Sequence, residues 1–134
     1  MPRERVTGLK ETLGIVEDDV TPGRVRCSLV LGDQHRNIQG VIHGSVVMAV
    51  LDTAMGHSLD AMLEATEFCS TTQFSLQFIR AARAGETLRA EGVVTRKGRR
   101  IAYLEGTCTN EAGETIARAQ GTWYIGTLRT PPTS

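Results

Sequence analysis

The sequence lacks the features that mark several common protein classes. Aromatic residues make up only 4% of its 134 residues and do not interleave with its arginines, which argues against single-stranded nucleic-acid binding by base stacking. Fifteen basic residues balance fifteen acidic ones, so no overall field attracts nucleic acid or an anionic membrane. No apolar run has the length of a transmembrane helix, and the first residues lack the apolar core of a secretion signal. We therefore expect a cytoplasmic protein.

Cysteine is also scarce, and Cys27, Cys69 and Cys108 form no CxxC pair. Their odd number and wide spacing argue against a disulfide framework and against a zinc site. The three histidines are scattered and give no metal-ligand spacing, and His35 and His57 are expected at loop and helix surfaces. We expect reduced thiols, no metal and no redox cofactor.

The hydrophobic pattern predicts a single α+β domain over residues 13–126. Residues 1–12 are expected to form an N-terminal extension or short helix, and residues 127–134 a flexible tail. The segment "GRVRCSLVL" alternates between apolar and polar residues, which predicts a half-buried strand. Residues 43–63 contain no helix breaker and are apolar at nearly every position, which predicts a long helix buried on most sides.

Four strand-like segments follow this helix. They cover residues 68–79, 86–96, 100–110 and 115–126, and the short glycine-containing links between them favour consecutive antiparallel hairpins. One flat contact cannot cover a helix that is apolar on most sides. The sequence therefore predicts an antiparallel sheet wrapped around one long central helix.

One carboxylate, Asp52, interrupts the apolar stretch "HGSVVMAVLDTAMG". No lysine or arginine lies within one helical turn of it, so the helix offers no partner for an ion pair. A carboxylate surrounded by apolar side chains is a stronger base than usual, which suits a general base or a nucleophile. A structural acid bonded to the backbone explains the pattern equally well, and the spacing alone does not decide between the two.

The start of this helix is a second candidate for chemistry. The free N–H groups of its first turn, around Gly44 and Ser45, can hold an oxyanion, and glycine allows close approach of a ligand carbonyl. His43 could act as a base, but a histidine in this place more often caps the helix. Ser45, His43 and Asp52 supply the residue types of a hydrolase triad. The GxSxG elbow is missing, however, and residues two apart on a helix do not face each other, so a triad is disfavoured.

Basic residues concentrate in two stretches after the helix, "FIRAARAGE" and "TRKGRR". They are either solvated turn residues or a clamp for the phosphates of a nucleotide-bearing ligand. The candidate clamp residues are Arg80, Arg83, Arg96, Lys97, Arg99 and Arg100.

The stretch "NIQGVIHGSVVMAVLDTAMG" resembles the signature of hotdog-fold acyl-CoA thioesterases of the PaaI type, the phenylacetate-degradation family. The likeness continues through "STTQFSLQFIRAARAGETL" and "ARAQGT", so it covers roughly residues 12–126. Ser45 stands where the family usually has a second glycine, and Ala81 where many relatives have proline. The resemblance implies the hotdog fold, in which an antiparallel sheet wraps one long helix.

The resemblance also implies roles for particular residues. The family's catalytic acid falls on Asp52 and its oxyanion-hole N–H on Gly44. Asn37 matches an asparagine that places water or the acyl group, His43 matches the histidine before the glycine, and Thr71 matches a hydroxyl residue that assists the acid. The implied reaction is hydrolysis of an acyl-CoA to a carboxylic acid and free CoA. Coenzyme A is then part of the substrate, and no separate cofactor is implied.

A homodimer, often paired again into a tetramer, is the assembly that the resemblance implies. Its sheets join edge to edge, and its active sites lie between subunits. Along one helix, His43 and Asp52 are about 13 Å apart by rise alone, whereas a two-fold dimer can bring the acid of one chain to the helix start of the other.

An apolar acyl pocket is expected near Met48, Met55 and Leu59.

Two other functions remain open from the sequence. The same pocket could belong to a non-catalytic acyl-CoA-binding module, which would bind CoA esters without cleaving them. A hotdog dehydratase acting on 3-hydroxyacyl thioesters would need a histidine and an acid across the site, which His43 and Asp52 of two chains could supply. Free thiol would indicate hydrolysis, and an enoyl thioester would indicate dehydration.

Overall fold

A six-stranded antiparallel sheet wraps around one long helix in the computed structural model, which describes residues 8–128. The predicted hotdog architecture is therefore confirmed. Residues 1–7 of the predicted N-terminal extension and residues 129–134 of the predicted tail lie outside the described residues. In chain order, the elements are α1 (Leu9–Leu13), β1 (Val16–Thr21), β2 (Arg24–Val30), a short 3₁₀ helix (Asp33–His35), α2 (Gly44–Asp60), β3 (Glu67–Phe78), β4 (Thr87–Lys97), β5 (Ile101–Thr109) and β6 (Thr115–Thr127).

The order of the strands differs from the predicted consecutive order. The sheet runs β1-β2-β4-β5-β6-β3, so β3 pairs with β6 at one edge and not with β4. The link from β3 to β4 is a crossover, and only β4, β5 and β6 form the expected meander. β1 has no counterpart among the predicted strands, because its sequence VEDDVT is mostly exposed at the other edge and shows little apolar alternation.

Two glycines allow α2 to lie close to the sheet. Gly92 of β4 and Gly106 of β5 are cross-strand partners. A Cβ at Gly92 would lie 2.4 Å from backbone atoms of Ala54 and Met55, and a Cβ at Gly106 would lie 2.7 Å from Met55 Sδ. Because larger residues do not fit here, the two glycines fix the depth at which α2 sits on the sheet.

The core lies between α2 and the inner face of the sheet. The alternation predicted for β2 is confirmed, since Val25, Cys27 and Leu29 are buried. Burial raises the pKa of Cys108 to about 12, and burial together with nearby acidic charge raises the pKa of Cys27 to about 12. Both thiols are therefore protonated and unreactive near neutral pH.

The prediction of a helix buried on most sides is confirmed for α2, but one narrow stripe of the helix is not covered by the sheet. Ser45, Met48, Asp52 and Asp60 are exposed along this stripe, and the sheet packs against the opposite side. None of the helices within residues 8–128 has both the length and the apolar character needed to cross a membrane.

Candidate active site

Asp52 faces β3 from the open stripe of α2. Its Oδ1 accepts a hydrogen bond of 2.9 Å from Thr71 Oγ1. Thr71 pairs with Trp123 of β6, and a bulge follows it because Thr72 has no cross-strand partner. Bulges of this kind re-aim side chains and are common beside active sites. Within residues 8–128, no backbone N–H donates to Asp52, so a side-chain hydroxyl orients the acid.

A cleft of about 440 Å³ surrounds this acid, and we call it the acid cleft. The prediction that Asp52 is buried among apolar side chains is wrong, because its own side chain is exposed and the cleft is lined by polar residues such as Thr53, His57 and Ser70. No cationic side chain in the described part of the chain forms an ion pair with Asp52. The carboxylate is thus oriented, open to a ligand and not neutralised.

The start of α2 carries the second group of candidate residues. His43 is the N-cap, and its Nδ1 accepts a hydrogen bond of 3.1 Å from the Ser45 N–H. The Gly44 N–H has no acceptor among the described residues, so it remains available to an oxyanion at the positive end of the helix.

Ser45 and His43 lie closer together than predicted. Ser45 Oγ is 2.6 Å from His43 Nδ1, because His43 precedes the helix and turns back over its first residues. The expectation that the two side chains do not face each other is therefore wrong. Asp52 lies further along the same helix, about 10 Å from Ser45 by rise alone, so the three residues form no triad within one chain.

Asn37 organises the loop that leads into α2. Its Oδ1 accepts hydrogen bonds from the N–H groups of Gln39 at 2.9 Å and Val41 at 3.2 Å. The carbonyl oxygen of the side chain is therefore used by the loop itself. Only the amide NH₂ of Asn37 could serve a ligand or a water.

His35, which was expected at a loop surface, is buried. Its Nδ1 accepts from the Gly32 N–H at 2.9 Å, so its Nε2 carries the proton and donates to the Leu13 carbonyl at 2.8 Å. Its own carbonyl accepts from the His43 N–H at 2.8 Å. His35 thus fixes the residue that caps α2, a role that the irregular polar loop sequence around it does not signal.

His57 lies at the acid cleft, and its Nδ1 contacts the carboxylate of Glu17 on β1, which makes an ion pair when the imidazole is protonated. Lys10 of α1 contacts the same carboxylate at 3.2 Å. Burial raises the pKa of Glu17, but the hydrogen bond from Lys10 and the charges of His57 and Lys10 outweigh burial and hold this pKa below its ordinary value. The cluster fastens α1 and β1 to α2 beside the cleft.

The first group of predicted clamp residues lies near the start of α2. Arg80 borders a second cleft of about 430 Å³ that also contains Gly44, and it forms an ion pair with Glu114. Arg83 is exposed three residues further on.

The second group lies at the other end of the helix. The β4–β5 turn is close to the end of α2, because Val94 donates to the Gly23 carbonyl and Gly23 donates to the Ser58 carbonyl. β4 alone spans roughly 35 Å between the two groups, so one chain does not bring all six residues into one clamp. The residues of this second group are Arg96, Lys97, Arg99 and Arg100.

The predicted acyl-pocket residues are divided between the core and the surface. Met55 and Leu59 are 0% exposed and fill the core, whereas Met48 is 42% exposed on the open stripe of α2. The apolar lining is found instead in the cleft at Gly44, where a Cβ on that glycine would lie 3.1 Å from the ring of Phe78. The expectation of a pocket formed by Met55 and Leu59 is therefore corrected.

Comparison with known proteins finds relatives among esterases and thioesterases. The family model of the thioesterase superfamily matches residues 39–117. A candidate esterase of Deinococcus radiodurans is 32% identical over 124 residues, which cover 90% of this chain and 81% of that protein. Human acyl-coenzyme A thioesterase 13 is 24% identical over 106 residues, covering 78% of this chain and 75% of that protein. A solved structure of a candidate thioesterase related to phenylacetic acid degradation, from Ralstonia eutropha JMP134, has a TM-score of 0.82 at 30% identity and covers 92% of this chain and 93% of its own.

Proposed function

This chain belongs to the thioesterase superfamily and is a thioester hydrolase, and we propose that it cleaves acyl-CoA into a carboxylic acid and free CoA. The observation that carries the proposal is the hydrogen bond between Thr71 and Asp52 in an open cleft. The similarity to acyl-coenzyme A thioesterase 13 supports CoA esters as the substrate class.

Asp52 is the proposed base or nucleophile. Because Thr71 donates to Oδ1, the other carboxylate oxygen is free to take a proton from water while that water attacks the thioester carbonyl. The Gly44 N–H would stabilise the oxyanion, and the departing CoA thiolate would then take the proton from Asp52. In the alternative route, Asp52 attacks the carbonyl directly, and water hydrolyses the resulting anhydride.

We infer that the active site is completed by a second copy of the chain. Asp52 and Gly44 border different clefts with no lining residue in common. They lie on one straight helix and are about 12 Å apart by rise, which is too far for both to act on one carbonyl. A two-fold dimer would place Gly44 of one subunit beside Asp52 of the other.

The two edges of the sheet support a dimer joined through β3. The β1 edge carries the acidic residues Glu17, Asp18 and Asp19 and a bulge, and both features hinder further strand pairing. β3 has no charged residue after Glu67, is 12 residues long and is the other edge strand of the sheet formed within residues 8–128. Pairing there would bring a second subunit next to Thr71 and Asp52.

The CoA phosphates would then meet one of the two groups of basic residues, which lie at opposite ends of α2.

The proposal is tested by measuring the release of free thiol from acyl-CoAs that carry short, medium, long or aromatic acyl groups. We expect Asp52→Asn to lower kcat by about 10²-fold to 10⁴-fold, because proton transfer by a positioned group contributes a factor of this size. Asp19→Asn on the exposed β1 edge is the matched control and should keep the wild-type rate. A wild-type rate in Asp52→Asn, or a wild-type protein that releases thiol from none of these esters, would overturn the proposal.

A further inference from the structure

Trp123, the only tryptophan of the chain, lies beneath the acid cleft and is 2% exposed. One edge of its indole ring packs under Gly121, and Phe74 contacts the ring edge to face at 6.3 Å between centroids. The N–H edge faces Gly56 on α2, where a Cβ would lie 3.4 Å from Nε1. Gly56 also lines the acid cleft, so the lack of a side chain there keeps the indole N–H accessible from the cleft.

This N–H has no hydrogen-bond acceptor among residues 8–128. No described side-chain nitrogen or oxygen is both sealed from solvent and without a partner, so Nε1 keeps some accessible surface, and Trp123 lines the acid cleft. A buried tryptophan normally finds an acceptor for its N–H, because an unmade hydrogen bond in a buried place is costly. The acid cleft therefore contains a donor that is available to a ligand.

We propose that Trp123 Nε1–H selects acyl groups that carry an oxygen acceptor near their far end. The inference rests on the proposed hydrolysis at Asp52 and names the substrate class of that site. Gly56 follows Asp52 by one helical turn, or about 6 Å along the axis. An extended chain covers about 3.5 Å in three bonds, so the acceptor oxygen would lie about five bonds beyond the thioester carbonyl carbon.

The character of the two clefts supports this assignment. The lining of the acid cleft includes Thr53, His57 and Ser70, whereas the cleft at Gly44 is lined mainly by aliphatic and aromatic side chains. A hydrocarbon acyl chain in the acid cleft would leave the indole N–H without a partner. A keto or hydroxyl oxygen at the right distance would satisfy the N–H.

Hexanoyl-CoA and 5-oxohexanoyl-CoA test the proposal, because they differ only by one acceptor oxygen, placed about five bonds from the thioester carbon. We expect the wild-type kcat/KM to be about tenfold higher for the oxo ester, the effect of one hydrogen bond. Trp123→Phe removes the N–H and should bring the ratio of the two constants close to one.

Gly56→Ala tests the same donor without disturbing the core, since alanine favours the helix and its methyl group would cover Nε1. It should also bring the ratio close to one. Tyr124→Phe is the matched control, because this neighbour on β6 is exposed and packs against Phe68 outside the acid cleft. It should keep the wild-type ratio.

The emission of Trp123 gives a second readout that does not need turnover. In the Asp52→Asn background, 5-oxohexanoyl-CoA should shift the emission to longer wavelength, and hexanoyl-CoA should not. The selection by Trp123 would be overturned if the ratio of kcat/KM for the two esters were the same in the wild type and in all variants, and if both esters gave the same emission. This holds even if hydrolysis is established. An emission shift specific to the oxo ester without thiol release from any ester would support the donor and overturn the hydrolysis.

Discussion

Thr71 orients the candidate base through one hydroxyl group, so its loss should disturb the acid more than the fold. Thr71→Val keeps the shape of the side chain and removes the donor to Asp52. We expect kcat to fall about tenfold or more while KM changes little, because the lost bond positions a reacting group. Thiol-release kinetics measure both constants.

Two further variants separate this positioning role from a purely structural one. Thr71→Ser restores the donor and should recover most of kcat. Thr72→Val removes a hydroxyl that donates to the Thr122 carbonyl at 2.9 Å, and it should keep kcat near the wild-type value. Equal losses in Thr71→Val and Thr72→Val would show that the region needs polar residues in general and not a bond to Asp52.

Glu17 makes stability depend on pH in the acid range. Its pKa is lowered in the folded state, so its contribution is fully present above its ordinary value of 4.5 and is lost as pH falls through the folded pKa. Glu17→Gln should therefore reduce the free energy of unfolding by about 1 kcal/mol at neutral pH and by less in acid. Urea unfolding at several pH values measures the difference. For the control Glu105→Gln, on the exposed face of β5, the plot of unfolding free energy against pH should run parallel to that of the wild type. A parallel plot for Glu17→Gln would contradict the role of Glu17 in the pH dependence.

At the level of single residues, the sequence is informative about chemistry and less so about exposure. Asp52 stands out because an acid interrupts an apolar helix, and Gly44 because a glycine begins that helix, whereas Thr71 was indicated only by the family resemblance. The exposure of Asp52 depends on where the sheet ends, and the periodicity of one helix carries no information on that. The role of Trp123 was missed, since an aromatic residue in a strand reads as core and the accessibility of its N–H depends on Gly56 of another element.

α2 and the sheet fit together through Gly92, so a single methyl group there should be strongly destabilising. A Cβ at Gly92 would lie 2.4 Å from the Ala54 and Met55 backbone, which cannot turn aside as a side chain can. We expect Gly92→Ala to lower the free energy of unfolding by about 3 kcal/mol, as overpacking does. Denaturant unfolding measures the loss. Gly8→Ala, where nothing lies within 4 Å, is the control, and equal stability of the two variants would contradict the close packing.

The elements that were predicted well are those with one buried face. β2 and β4 to β6 begin and end within about one or two residues of their predicted bounds, because alternation is strong where one face packs on α2. β1 was missed because an edge strand rich in acids has little buried face to reveal it. The position of β3 beside β6 was also missed, since the length of the link between β3 and β4 fits a hairpin as well as a crossover.

At the level of the whole molecule, the proposed site is divided into two halves that lie in separate clefts of one chain. The candidate base, Asp52, lies in a polar cleft beside β3, and the candidate oxyanion donor, the Gly44 N–H, lies in an apolar cleft at the start of α2. Each half is well ordered by local bonds, Thr71 to Asp52 in one case and the His43 cap in the other. A reaction that needs both groups at one carbonyl therefore couples activity to assembly.

Complementation between two inactive variants tests this coupling directly. Asp52→Asn removes the base, and Gly44→Val blocks the approach of the carbonyl beside Phe78. In a mixed dimer, the intact Asp52 of one subunit meets the intact Gly44 of the other at one of the two sites. Refolding the two variants together should therefore restore about a quarter of the wild-type kcat, although each alone is nearly inactive. If each site formed within one chain, every chain in the mixture would be defective and the mixture would stay inactive. That outcome, or a monomer in sedimentation at full activity, would contradict the shared site.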